Sequence, residues 1–301
     1  MSRRGGDTGP SGICVVDKPA GWTSHDVVAR ARRLLDTRKV GHAGTLDPMA
    51  TGVLVLGVGR ATRLLTFITG VAKTYEATIR FGVETDSLDA DGEQTATHDM
   101  SGLDPDDVRA GASRLTGDLL QVPPMVSALK VDGRRLHELA REGVEVERAP
   151  RPVTVSRFDV APTADPMLWT AAVECSSGTY VRSLAADLGH ALGGGAHLAS
   201  LRRTAVGPFG LAEAHDLDHL ELLAMVEGVR HLDHLVVDEG LAGAVGHGRV
   251  LDAAQLGLEE PLGADAGPWA VLDGSGDLLA VYERRDDRRA KPAIVLATDA
   301  R

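Results

Sequence analysis

The chain has 301 residues, 43% of them hydrophobic, enough for a sizeable core and for two domains or one large domain with an appendage. Aromatics are only 3%, so that core must be aliphatic. No run of 18 apolar residues exists, which argues against a membrane-spanning helix, and the net charge of -11 argues at first sight against a nucleic-acid partner.

The opening "MSRRGGDTGPSG" is polar, glycine-rich and without an apolar signal segment, so residues 1–10 read as a disordered tail on a cytoplasmic protein. "GICVVDKP" follows as a short buried strand ended by proline, and "TSHDVVARARRLLD" as a helix capped by Thr23 or Ser24. Its apolar residues Val27, Val28, Ala31, Leu34 and Leu35 recur at helical spacing and leave Arg30, Arg32 and Arg33 outside. A glycine-lined turn, "VGHAGTLDPMAT", then leads into the apolar strand "GVLVLGVG" and the short helix "RATRLLTFI". "KTYEATIRFG" alternates, with Tyr75, Ala77, Ile79 and Phe81 on one face. "VETDSLDADGE" reads as a loop, and "DPDDVRAGASRLTG" as a helix whose first-turn acids suit the dipole. From Val122 to Val155 there are strand, turn and helix signals but little apolar content, which suggests a projecting arm. "LWTAAVECSSGTYVRSLAADLGHAL" is a strand, a turn and a helix, and "AHLASLRRTAVGPF" is another strand. Beyond about residue 235 the composition shifts. "WAVLDGSGDLLAVYERRDDRRAKPAIVL" reads as a hairpin with a Gly-Ser-Gly turn and one further strand, a small C-terminal β domain.

The charge is unevenly spread. Residues 1–210 hold 24 Lys and Arg against 25 Asp and Glu, a net of -1, whereas residues 211–301 hold 8 against 18, a net of -10. Basic clusters at Arg30–Lys39, Lys130–Arg135 and Arg202–Arg203 all precede the acidic third. Local phosphate contacts therefore remain open despite the total charge. Cys14 and Cys175 lie in apolar strands and read as buried free thiols. The histidines of "HDLDHL" and "HLDHL" are expected on helix faces rather than on a metal.

One carboxylate stands out. Asp47 precedes Pro48, which favours extended backbone at Asp47, and glycines around it allow close approach to the main chain. It could be a nucleophile, a general base, a metal ligand or a turn aspartate capping its own backbone. A metal is poorly supported, because only His42 is a nearby ligand type, and a phosphate loop is poorly supported because no G-x-x-x-x-G-K-[ST] occurs.

Seven stretches in order tip this balance: "DKPAGWTS", "KVGHAGTLDPMATGVL", "KTYEA", "TDSLDADG", "PPMVSALK", "GTYVRSLAADLG" and "GGGAHLASLRRTAVGPF". Together they resemble the bacterial TruB family, the tRNA pseudouridine-55 synthases, over roughly residues 11 to 210. "VLDGSGDLLAVYE" is similar, more weakly, to the PUA RNA-binding domain that ends these enzymes. The resemblance implies an α+β fold: a central mixed, mainly antiparallel sheet with flanking helices. It implies a catalytic domain over 11–235, an RNA-gripping arm near 124–152, and a small C-terminal β-barrel, PUA-like, over 236–301.

By the same resemblance Asp47 is the catalytic carboxylate and Arg182 its cationic partner, pairing with it in two places. Tyr75 packs on the target uracil, Tyr180 and Leu201 line the pocket, and His42 contacts RNA where the base is displaced. Lys18 supports the pocket, and Gly44 and Pro48 shape the turn. Lys130, Arg134, Arg135, Arg202 and Arg203 are expected on the RNA backbone. Val126 departs from the family, which often has an aromatic there. The implied partner is tRNA, through its T-loop and T-arm, with no metal, no cofactor, no membrane and a monomeric enzyme. Two alternatives are a tRNA folding chaperone with dispensable catalysis, and a pseudouridine synthase with another RNA target.

Overall fold

The apolar run Thr51–Val58 (β3) cannot face water on either side, and the fold places it inside the central sheet, hydrogen-bonded to three other strands. The computed structural model describes residues 9–296 except 128, 132, 133, 136–141, 143 and 145; the side chains of 130, 131 and 135 also lie outside that description. Most of the expected tail over residues 1–10 falls outside it as well.

In chain order, β1 (Gly12–Lys18), α1 (Ser24–Leu34) and β2 (Val40–His42) precede β3. A 3-10 turn, Gly59–Leu64, runs into α2 (Leu65–Thr69), where one short helix is expected. Next come β4 (Lys73–Phe81), the hairpin β5 (Val83–Thr85) and β6 (Gln94–Thr97), α3 (Pro105–Arg114), β7 (Gly117–Gln121), and the ribbon β8 (Lys130–Val131) and β9 (Arg134–Arg135). β10 (Arg151–Pro162), β11 (Leu168–Cys175), α4 (Val181–Ala191), β12 (Ala196–Val206) and β13 (Phe209–Gly210) complete the first region. The rest comprises β14 (Asp233–Val236), α5 (Glu239–Gly246), β15 (Leu251–Asp252), β16 (Trp269–Leu272), β17 (Leu278–Arg284) and β18 (Arg289–Val295).

The central sheet has nine strands with the path β1-β3-β12-β4-β11-β10-β7, plus β2 on β3 and β13 on β12. Every pair is antiparallel except β12 with β3, so the sheet is mixed and mainly antiparallel, as the resemblance implies. Period-2 alternation gives β4 a buried row, Tyr75, Ala77, Ile79 and Phe81, and β11 a matching row, Trp169, Ala171, Val173 and Cys175. Helices α3 and α4 share this core. At the start of α1, Thr23 Oγ1 accepts from Asp26 N at 3.1 Å, and Asp26 Oδ2 accepts from Thr23 N at 2.9 Å, a reciprocal cap.

β10 is a twelve-residue strand that pairs with both β7 and β11, in a stretch whose first residues read as arm. Two prolines, Arg157, Asp159 and a bulge between Val155 and Arg157 break its alternation, which hides it from a period count. The expected loop 83–93 holds β5 and the turn of a small hairpin. The histidine expectation fails: His219 sits in a turn built on Asp216, which accepts from Asp218 N and His219 N, and His234 lies on β14. The short acidic turn outcompetes a helix there.

The C-terminal strands form a curled five-stranded sheet, β14-β16-β17-β18-β15, with α5 against it. β14 straddles residue 235. Leu272, Leu278, Val281, Ile294 and Leu296 share one core with Ile13, Val15, Val53, Val55, Leu64 and Ile68 of the first region. Arg60 and Arg63 also donate to the carbonyls of Leu296 and Val295. Both cysteines are buried and unpaired, and burial pushes each thiol up to about 11. Among the described residues no helix is long and apolar enough to cross a membrane.

Candidate active site

Residues 43–50 connect β2 to β3 and carry Asp47. Ala43 N donates to Val55 O at 2.9 Å, continuing the ladder into the turn. Gly44 then takes φ +88, a left-handed conformation that glycine adopts without strain. Ser24 at the start of α1 holds the middle: its hydroxyl accepts from Leu46 N at 2.9 Å and donates to Leu46 O at 3.2 Å. Ala50 N donates to Asp47 O at 3.1 Å and closes the turn. Pro48 O accepts from Gly21 N at 2.9 Å and from the buried Lys18 ammonium at 3.3 Å. Lys18 also donates to Pro19 O and Trp22 O, so one ammonium ties two loops together. Gly52 tolerates no side chain, since a Cβ there would lie 2.1 Å from Arg203 O.

Arg182 reaches this turn from the first turn of α4. Only 4% of its side chain is exposed, and its Nε stands 3.0 Å from Asp47 Oδ2. That approach lacks hydrogen-bond alignment. Its other nitrogens go elsewhere: Nη1 to Ser87 O at 2.8 Å and Asp89 Oδ2 at 3.3 Å, Nη2 to Val126 O at 2.9 Å. The expected two-point pairing with Asp47 is therefore not what forms. The guanidinium spans four acceptors, because two carboxylates and two carbonyls converge on it. Asp89 is itself held by Ser87 Oγ at 2.5 Å and Asp91 N at 3.2 Å.

Asp47 keeps 34% of its side chain open at the mouth of the cleft, yet protein surrounds the rest. Desolvation lifts its carboxyl above the usual aspartate range; Arg182 pulls it back down, and Asp89 pushes it up again. Tyr75 lies near Asp47 on the buried face of β4, with burial raising its phenol and Arg203 drawing it down. Leu201 is buried opposite Ala77 in the same core. Tyr180, half-buried, precedes α4; Gln121 accepts from its N at 2.8 Å and donates to its O at 3.1 Å. Asp47, Arg182, Tyr75 and Tyr180 thus lie close enough to feel one another's charge, and Leu201 shares the buried core with Tyr75. His42, at the end of β2, meets His25 edge-on with centroids 5.7 Å apart, and burial holds its imidazole below the ordinary range.

The basic residues expected on RNA divide. Arg203 is 1% exposed and donates to Val53 O, Thr45 O and Gly44 O, so it cannot reach a phosphate. Strand alternation turns it into the core. Arg202 faces the opposite side of the sheet and forms a two-point pair with Asp17 at 3.0 and 2.7 Å. Arg134 is exposed and pairs with Glu142. The side chains of Lys130 and Arg135 lie outside the described residues. At the C-terminal patch Arg289 pairs with Asp286 and Lys291 with Glu283.

Sequence reasoning missed Ser24, Lys73, Asp89 and the structural part of Arg203. Asp89 stands in "TDSLDADG", a quoted stretch, but its spacing from Asp47 gave no sign that both meet one arginine. Among the described residues no group of three or more His, Cys, Asp or Glu is placed to hold a metal.

A mixed, mainly antiparallel sheet with flanking helices and a curled C-terminal sheet is the architecture of a pseudouridine synthase. Residues 32–181 match the TruB family pseudouridylate synthase N-terminal domain, and residues 182–238 match the tRNA pseudouridylate synthase B C-terminal domain. A curated protein of Rhodococcus jostii, named tRNA pseudouridine synthase B, is 51% identical over 300 residues, covering 95% of this chain and 94% of its own. One from an Arthrobacter species with the same name is 48% identical over 298 residues, covering 95% and 97%. The chain belongs to the TruB family. Among solved structures, a Cbf5-Nop10-Gar1 complex superposes with a TM-score of 0.71 at 25% identity, covering 94% of this chain and 84% of that one.

Proposed function

We propose that this chain isomerises uridine 55 in the T-loop of tRNA to pseudouridine, with Asp47 as the reacting carboxylate and no cofactor. The observation that carries the reading is Asp47 itself, held in a turn that Ser24, Lys18 and Arg203 tie down, with a third of its side chain open and Arg182 Nε 3.0 Å away. Relatives named tRNA pseudouridine synthase B, alike over nearly their whole length, support tRNA as the substrate.

The ionised Asp47 either attacks C1′, as glycosidase carboxylates do, or removes a ribose proton to give a glycal. In both routes the N1–C1′ electrons leave with the uracil. The base then turns, C5 bonds to C1′, the C5 proton departs and N1 gains one. Nothing is oxidised and no group is gained or lost, so the stoichiometry calls for no redox partner. Arg182 keeps Asp47 charged against its desolvation. Tyr75 and Leu201 clamp the uracil, and base–aromatic packing contributes about 1–3 kcal/mol. Extracting the base costs on the order of a few kcal/mol, and His42 at the mouth offsets part of this by occupying the vacated place. The arm, with Lys130, Arg134 and Arg135, and the PUA-like C-terminal sheet hold the RNA. The enzyme acts as a cytoplasmic monomer.

The test is site-resolved chemical mapping of pseudouridine in unmodified tRNA incubated with the pure protein. One pseudouridine at position 55, and none when cytidine replaces that uridine, is expected. No product, or product elsewhere only, overturns the reading.

A further inference from the structure

The "LRRT" segment of β12 places two adjacent arginines in opposite environments. Arg203 is the largest fully buried side chain of the molecule's described residues. Its Nε donates to Val53 O at 2.7 Å, Nη1 to Thr45 O at 3.3 Å and Nη2 to Gly44 O at 3.1 Å. Across the sheet register it faces Tyr75, whose phenol it engages. Among the described residues no carboxylate forms an ion pair with it. Its neighbour Lys73, also buried, likewise donates to carbonyls, those of Thr69 and Val71 at 2.7 Å each. An unpaired buried cation is unfavourable, and an apolar side chain would fill the space at lower cost. What a planar guanidinium adds is fixed angles between several acceptors.

Gly44 and Thr45 lie three and two residues before Asp47, Val53 lies on β3, and Tyr75 is the register partner of Arg203 on β4. We infer that Arg203 is a positioning residue for the isomerisation proposed above, on which this inference rests: it locks the Asp47 turn and Tyr75 into one frame. Lys18 holds the other end of the turn at Pro48 O, so the turn is gripped on both sides of the carboxylate. The substrate then meets a carboxylate and a ring whose separation is already set, and a misplacement of about 1 Å is worth on the order of 10²-fold in rate.

The test uses the full chain with Arg203→Lys, which keeps the charge but not the fork. Its single-turnover rate should fall about 10²-fold while tRNA affinity stays within about threefold. Amide exchange at Ala43, Leu46 and Ala50 in the free protein should accelerate, while exchange in β11 stays as in the wild type. If the lysine variant does not fold, Arg203→Met carries the same measurements. Wild-type rates with unchanged exchange overturn the inference. So does a loss explained by weaker tRNA binding alone, or exchange that rises across the whole sheet. If the wild type makes no pseudouridine, the functional reading has failed, and turn exchange in Arg203→Lys still decides whether the arginine anchors the turn.

Discussion

The two faces of the central sheet handle charge in opposite ways. Around the cleft, Lys18, Lys73, Arg182 and Arg203 are all buried, and every one donates to backbone carbonyls. On the open face Glu76, Asp159 and Ser200 sit in water beside Arg202, whose fork rests on Asp17. Exposed pairs of that kind contribute about 0–1 kcal/mol each. Buried cations satisfied by carbonyls do something else: they fix the path of the main chain. The difference teaches that charge near Asp47 holds geometry, while charge across the sheet mainly keeps a surface wet. Substitutions on the two faces should therefore differ by orders of magnitude.

The largest effect should come from Asp47→Asn, which removes the only reacting group in the scheme. Single-turnover isomerisation should fall by at least about 10⁴-fold, with tRNA binding within a few fold. Substantial turnover by this variant removes Asp47 from the mechanism. Arg182→Lys should come next, losing about 10²-fold although charge is kept, because a point charge cannot span Asp47, Asp89, Ser87 O and Val126 O together. Wild-type single-turnover rates would show that this span is unimportant.

A smaller effect links pH to Lys18. Burial lowers its ammonium to about 8, and the protonated form ties Pro48 O to Trp22 O. Rates should decline above about pH 8 as that proton leaves. An alkaline plateau extending to pH 10 would remove Lys18 from the turn's support.

Asp47 should also cost stability. Its folded carboxyl is raised, so the native chain holds that proton more tightly than the unfolded chain. The stability this group contributes is full below the unfolded value and is lost as pH rises through the folded value. Asp47→Asn should then raise Tm at pH 7.5, and the gain should shrink toward pH 4. A lower Tm at both pH values would contradict the direction. Smallest of all, Arg202→Ala on the open face should change rate and affinity less than about threefold in the same assays. A tenfold loss would bring that face into the site.

Much of this was legible in the sequence because the informative pattern was local. Alternation in "KTYEATIRFG" fixes which residues of β4 are buried, and Pro48 with Gly44 marks the turn. What was hidden depends on contacts distant in the chain. Asp89 and Asp47 meet only because β5–β6 folds back over Arg182, and no spacing records that. Arg203 looked like half of a basic cluster. Its place in the alternation of β12, one residue from Arg202, sends it to the opposite face. The C-terminal region looked separable, yet it shares a core with β1 and β3, because Leu278, Val281 and Ile294 turn toward that side. Charge reversal on its surface is thus a cleaner probe of its part in RNA binding than removing it.

The most direct test of the whole account is the single-turnover rate of pseudouridine formation at uridine 55 as a function of pH, with enzyme saturating. The account predicts a single acid limb whose midpoint lies above the usual aspartate range, moving higher still in Arg182→Gln, because desolvation raises Asp47 and Arg182 opposes it. A rate that stays flat to below the ordinary aspartate value, or a limb that Arg182→Gln leaves in place, would contradict it.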